Sequence, residues 1–123
     1  MYLDYLKERY NEADFNLIEA ANDFESFYDL IHKTDSGFIT YELKGDAVII
    51  HDIWVKPECR GMTESLKLFN HVMKEAKTAG KRVAIGFSEF TGKNHLLGVK
   101  AMKSVNFVPA FKTNREFVFI KGI

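Results

Sequence analysis

The chain has 123 residues, 46% hydrophobic and 14% aromatic with eleven Phe, which excludes a disordered chain and allows a core that buries about two-thirds of the unfolded surface. Seventeen Lys and Arg balance seventeen Asp and Glu, so no net field draws the chain to nucleic acid or to an anionic membrane. A single cysteine excludes an internal disulfide framework and a multi-cysteine zinc site, no apolar run is long enough to span a bilayer, and the N-terminal MYLDYLKERY is too charged for a signal peptide, so a cytoplasmic location is expected.

Along the chain, Tyr2, Leu3, Tyr5, Leu6 and Tyr10 fall largely on one helical stripe over residues 2–10. The segment FNLIEA, with Phe15 and Leu17, predicts a short strand. Asn22 predicts an N-cap for a helix over 23–33, where Phe24, Phe27, Tyr28 and Ile31 are spaced three and four apart. The tract TDSG (34–37) ends it. Two strands follow, GFITYEL (37–43) and AVIIHDIWV (47–55), joined by a hairpin at Gly45. The second is apolar on both faces and is placed centrally. Pro57 ends it, and residues 63–79 predict a long helix with a buried stripe of Leu66, Phe69, Val72, Met73 and Ala76, closed by Gly80. RVAIGFS (82–88) predicts a strand, EFTGKN (89–94) a loop, and residues 95–105 a helix. FVPAFKT and EFVFIKG predict a hairpin turning at Asn114. This order predicts an α/β (α+β) chain with a central sheet and helices on both faces, a single domain over 1–123 with 1–11 as an N-terminal helical extension.

The stretch IIHDIWVKPECRGMTESLKLF (49–69) runs a buried strand through a short loop into the long helix. Free amides and the positive dipole end of a first helical turn suit phosphate. Arg60 adds a cation there and Gly61 permits close approach. The same pattern also fits an ordinary α/β crossover. His32 and His71 read as surface residues, and Lys74, Lys77, Lys81 and Arg82 as a solvated face. Cys59 sits beside a cation but has no His in its local sequence, and no spacing suggests a metal site.

Those residues resemble motif A of the GCN5-related N-acetyltransferases, the GNAT superfamily. In V-K-P-E-C-R-G-M-T-E-S (55–65), Val55, Pro57, Arg60 and Gly61 match. N-H-L-L-G-V-K-A-M-K-S-V-N-F (94–107) resembles motif B, with Phe107 as its final aromatic. The likeness runs from about residue 14 to the end. It implies a mixed, mostly antiparallel sheet whose central strands splay apart, here 48–55 and 82–88, with acetyl-CoA as co-substrate. Pantetheine would lie along Ile53, Trp54 and Val55. The pyrophosphate would sit on Arg60, Gly61, Met62, Thr63, Glu64 and Ser65, and Asn94 would add a cofactor contact. His51 and Asp52 occupy the strand positions where the family often carries the base that deprotonates the attacking amine, a task suited to an imidazole near neutral pH. Adjacent strand residues point to opposite faces, so the two form no dyad unless the strand bulges.

The chain also departs from the family. Thr63 and Ser65 stand at the two small positions of the pyrophosphate loop, and Glu64 brings a repelling charge into the same turn. Met102 replaces the Tyr that often protonates the departing thiolate, leaving His95 or Ser104 as substitutes. Asn106 replaces a Gly, and Asn94 is one place out of register. Two functions follow from the resemblance. One is acyl-CoA-dependent N-acyl transfer, with acetyl-CoA as donor and a primary amine as acceptor. The other is an inactive member that keeps the fold for binding a protein partner, a structural or host-interaction protein such as a bacteriophage carries, placed in the virion or host cytoplasm.

Overall fold

The structure, a computed structural model, describes residues 1–13, 16–61, 63–89, 102–103 and 105–123. Tyr2–Arg9 form α1, as the stripe predicts, with Tyr5 and Leu6 buried. The next segment departs from expectation. Leu17–Asp23 form a helix, α2, in place of the expected strand. The Asn16 side chain caps it, accepting from the Glu19 amide at 3.1 Å. That cap outweighs the short apolar pattern of FNLIEA.

The helix expected over 23–33 is corrected as well. Phe24–Phe27 make a short 3-10 turn, and Leu30–Lys33 form strand β1. β1 pairs antiparallel with β2 (Gly37–Lys44), from Leu30 opposite Tyr41 to Lys33 opposite Phe38. Cross-strand pairing overrides the helical spacing of the aromatic residues here.

β2 and β3 (Ala47–Val55) form the expected hairpin, with Lys44 opposite Ala47 and Gly45 at φ 57° in the turn. The two-residue loop needs that positive φ. α3 (Glu64–Thr78) follows, then β4 (Val83–Glu89), β5 (Val108–Lys112) and β6 (Glu116–Gly122), the last two joined through residues 113–115. The six strands lie in the order β1-β2-β3-β4-β6-β5. Among the described strands only β3 and β4 run parallel. β3 is central, as its two apolar faces predict.

Each face of the sheet has its own core. On one face α3 packs Leu68, Phe69, Val72, Met73 and Ala76 against Ile39, Tyr41, Val48 and Ile50. The expected stripe holds except at Leu66, which is 42% exposed, while Leu68 is buried. Leu68, Val72 and Ala76 follow at intervals of four, so Leu68 sets the phase of the helix. Leu68→Ala is expected to cost about 2–5 kcal/mol of stability, read from urea unfolding. On the other face Tyr5 and Leu6 of α1, Leu17 of α2 and Phe24 pack on Phe38 and Trp54. No helix among the described residues is long and apolar enough to cross a membrane.

His32 on β1 and His71 on α3, expected at the surface, stack on one another with ring centroids 3.5 Å apart and planes 8° from parallel. His71 is exposed and His32 half-buried. Burial pulls the His32 pKa below its ordinary 6.5; a charge on His71 pulls the same way, and Glu75 opposes both. The folded state therefore disfavours protonation at His32. The unfolded chain takes up a proton as pH falls through about 6.5, so stability is lost from there downward. Urea midpoints measured at pH 7.5 and 5.5 should fall over that interval, and His32→Asn should flatten the fall.

Candidate active site

The first feature is a gap in the middle of the sheet. β3 and β4 pair only from Ala47 opposite Val83 to Ile49 opposite Ile85. β3 then continues to Val55 and β4 to Glu89 with no further pairing between them among the described residues. β4 stays bonded to β6 along its whole length, and β3 stays bonded to β2. The two strands thus part from the middle of β3 onward, as the splayed strands were expected to do.

Backbone alternation decides which groups face that gap. The Asp52 amide donates to Thr40 Oγ1 on β2 at 2.9 Å, and the Lys56 amide donates to the Ser36 carbonyl at 2.7 Å. Those two positions and Trp54 between them address β2. Ile53 and Val55 therefore turn their backbone groups the other way, into the gap. The Val55 carbonyl is taken by Arg60 Nε at 2.9 Å. Trp54, expected on the same binding strip, directs its side chain instead into the core beneath α1.

Next comes an irregularity in β3. Thr40 lies opposite Asp52 and Tyr41 opposite Ile50, so His51 is an extra residue on β3. This is a β-bulge, and it changes which way the strand faces. Val48 and Ile50 belong to the α3 side, whereas Trp54 belongs to the α1 side. The bulge sets His51 and Asp52 on one face: the Tyr28 hydroxyl donates to Asp52 Oδ2 at 2.7 Å, and its ring lies 6.1 Å from the His51 ring.

The two side chains nonetheless differ in what they can do. Asp52 is buried and accepts hydrogen bonds from Tyr5, Tyr28 and Thr40 hydroxyls and from Arg9 Nη1 at 2.8 Å. Burial, joined by the Asp52 charge, raises the Tyr5 hydroxyl pKa well above the phenol range despite Arg9. Burial and the hydrogen bond to Asp52 do the same for Tyr28. Both hydroxyls stay protonated donors. Asp52 is thus the anchor that ties α1 and Tyr28 to the sheet, with its lone pairs committed. His51 is 38% exposed at its side chain, with Nε2 3.6 Å from Glu42 Oε1. It lies two residues past the last β3–β4 pair, with its ring partly exposed.

The loop after β3 forms the end of the gap. Pro57–Cys59 make a 3-10 turn. Gly61 follows at φ 81°, a conformation that favours glycine. Thr63 is the N-cap of α3 and its side chain makes no capping hydrogen bond. Thr63 and Ser65 are exposed. Glu64 pairs with Lys67 at 3.4 Å, which offsets part of its charge. Arg60 is already engaged: besides Val55, its Nη2 donates to Glu8 Oε2 on α1 at 2.7 Å, and its guanidinium lies 5.9 Å from the Trp54 ring. Trp54 Nε1 donates to the same Glu8 oxygen at 3.0 Å. Burial acts to raise the Glu8 pKa, but these hydrogen bonds and the Arg60 charge outweigh it and hold the carboxyl below the usual range. The Glu8 link was not legible in the sequence, because nothing local joins residues 8 and 60.

On the β4 side, Met102 packs on Gly86, where a Cβ would stand 2.7 Å from the Met102 methyl. Met102 thus fills space that only glycine leaves open. Asn106, in the place of a family Gly, has φ 68°, a left-handed conformation that Asn tolerates. Phe107 is buried and meets Phe69 edge-on at 5.5 Å. Cys59 packs against the α3-side core. Met62, Asn94, His95 and Ser104 lie outside the described residues, as do Phe15 and most of the helix expected over 95–105. Among the described residues no group of three or more His, Cys, Asp or Glu could hold a metal.

No family model matches the chain, and no curated protein matches it by sequence. Solved structures do match its fold. The PaiA N-acetyltransferase of Thermoplasma acidophilum, solved with coenzyme A, superposes with a TM-score of 0.68 at 16% identity, covering 91% of this chain and 74% of that one. The ribosomal-protein-S18-alanine N-acetyltransferase of Escherichia coli gives 0.61 at 16% identity, covering 84% and 75%. Arabidopsis thaliana NAA60, solved with a bisubstrate analogue, gives 0.58 at 15% identity, covering 72% and 65%. The chain therefore has the GNAT-like fold that motifs A and B implied.

Proposed function

We propose that this chain, folded as the GCN5-related N-acetyltransferases are, transfers an acyl group from acyl-CoA to a primary amine, with acetyl-CoA as the donor. The observation that carries the proposal is the parting of β3 from β4 with the backbone of Ile53 and Val55 turned into the opening. Strand edges inside a sheet are normally paired, so an opening lined by such groups suits a ligand that carries amides of its own. Pantetheine is such a ligand. The loop from Arg60 to Ser65 then faces its diphosphate with α3 amides, the Thr63 and Ser65 hydroxyls and the Arg60 cation. Met62 and Asn94 are assigned to the same binding strip by motif alone.

Acyl-CoA supplies an activated thioester carbonyl. The Ile53 and Val55 amides orient it by hydrogen bonding at the gap. His51 accepts the proton of the incoming amine, which frees the nitrogen lone pair for attack; general bases of this kind contribute about 10²–10⁴-fold. Asp52, fully occupied by donors, fixes the strand that carries His51 instead of taking the proton itself. Met102 holds no proton to give. A thiol of ordinary pKa, about 8.5, can leave as thiolate, so the lack of a phenol there slows the reaction without forbidding it.

The test is thiol release from acetyl-CoA against a panel of alkyl amines, amino acids and lysine peptides. Amine-dependent release is expected in the wild type. A folded chain that binds acetyl-CoA yet releases no thiol with any of them would contradict the transferase reading and favour a fold retained for binding.

A further inference from the structure

The N-terminal helix reaches the proposed phosphate site with an anion of its own. Glu8 on α1 accepts from Arg60 Nη2 at 2.7 Å and from Trp54 Nε1 at 3.0 Å. Arg60 Nε is bonded at 2.9 Å to the carbonyl of Val55, a position whose backbone faces the gap. The guanidinium therefore bridges the free edge of β3 and α1, at the end of the gap nearest the loop. Two of the groups that a diphosphate and its pantetheine arm would meet are occupied within the chain: the Arg60 charge and the Val55 carbonyl.

α1 is also firmly placed. Tyr5 and Arg9 hold Asp52, and Tyr2 donates to Glu25 at 2.6 Å. Tyr2 and Tyr5 stack on Phe24 or meet it edge-on. Glu8 is thus carried on a helix fixed at several other points, and its carboxylate is ionised throughout the neutral range because Arg60 and Trp54 favour its charged form. A carboxylate and a phosphate oxygen ask the same of a guanidinium, two parallel N–H donors on a planar fork.

We propose that Glu8 is a built-in competitor for the ligand's phosphate: it holds Arg60 at the end of the gap, and acyl-CoA binds by taking Arg60 from Glu8. This rests on the reading of the Arg60–Ser65 loop as the phosphate site. An ion pair of this exposure is worth little in isolation, so the latch sets affinity without blocking entry. Exchange of Arg60 between two anions also moves its guanidinium relative to the Trp54 ring, 5.9 Å away, which makes the chain's one Trp a reporter of the exchange.

The experiment is calorimetric titration of the full chain with coenzyme A, on wild type, Glu8→Gln, Arg60→Ala and the double variant. Gln keeps the length of the side chain and an oxygen for Trp54, so the fold is retained; a melting curve checks this, and Glu8→Ala provides a second removal of the charge. Glu8→Gln is expected to bind coenzyme A about twofold to fivefold more tightly than wild type, the upper part of the range that loss of a partly exposed ion pair spans. In the Arg60→Ala background the same change should alter affinity by less than about twofold, because the coupling runs through Arg60. Trp54 emission should change as wild type is titrated. Glu8→Gln that binds no tighter, a gain of full size that persists without Arg60, or wild type that binds with Trp54 emission unchanged would each overturn the latch while leaving the phosphate site standing. No binding by any variant, Glu8→Gln included, would overturn the phosphate reading and the latch with it.

Discussion

Replacing Asp52 with Ala should destabilise the chain by about 3–5 kcal/mol, the largest loss expected from any single polar substitution here. The carboxylate is buried on β3 and receives Tyr5, Arg9, Tyr28 and Thr40. Its removal takes the acceptor from three hydroxyls and one carboxylate partner from the Arg9 guanidinium, and each buried donor so orphaned is costly. It also loosens α1 on the sheet, because Tyr5 and Arg9 tie that helix to Asp52 on β3, leaving the Glu8–Trp54 bond and apolar packing to hold it. In a chain of this size the loss corresponds to a fall in Tm of about 10–20 °C. Asp52→Asn keeps one acceptor oxygen and the side-chain volume, and should cost less. Urea unfolding at pH 7 measures both. A loss below about 1 kcal/mol in the Ala variant would show that the hydroxyl cluster is held by packing and not by the carboxylate.

His51→Ala should do the opposite: leave stability within about 0.5 kcal/mol, as exposed positions do, and lower the acyl-transfer rate about 10²–10⁴-fold. His51 is the extra residue of the β3 bulge and is 38% exposed at its side chain. Loss of rate without loss of fold separates a proton acceptor from a packing residue. The measurement is initial-rate thiol release at saturating acetyl-CoA, alongside a melting curve. Unchanged turnover would remove His51 from the chemistry and leave an amine that arrives already deprotonated.

Much of the site's scaffold was legible in the sequence because it is written in local pattern. The AVIIHDIWV strand, the Pro57 stop, the long helix and its Gly80 end all follow from periodicity and turn residues. The gap between β3 and β4 was legible only through the likeness of residues 55–65 to motif A, since no local signal says where two parallel strands stop pairing. Segments governed by distant partners were misread. Leu30–Lys33 looks helical until β2 is beside it, whereas FNLIEA was misread for a local reason, because the Asn16 cap outweighs its apolar pattern. The bulge did leave a trace: two adjacent polar residues, His51 and Asp52, interrupt an otherwise apolar strand. On regular alternation they would face opposite ways, and a bulge lets both stay on one side. The partners of Asp52 were not legible, because Tyr5, Arg9 and Tyr28 are far from it in sequence. The same distance hid Glu8 from Arg60.

Acyl transfer by this chain requires that the opening in the sheet receive acyl-CoA. The most direct measurement is the melting temperature of the full chain across a series of acetyl-CoA concentrations, with Arg60→Ala alongside. A ligand that binds only the folded state must stabilise it, by about 2.7 kcal/mol when present at a hundred times its Kd. Wild type should melt several degrees higher in millimolar acetyl-CoA, with the increment still rising with concentration, and Arg60→Ala should show a smaller increment. A folded wild-type chain whose melting temperature does not move at any acetyl-CoA concentration would contradict the account.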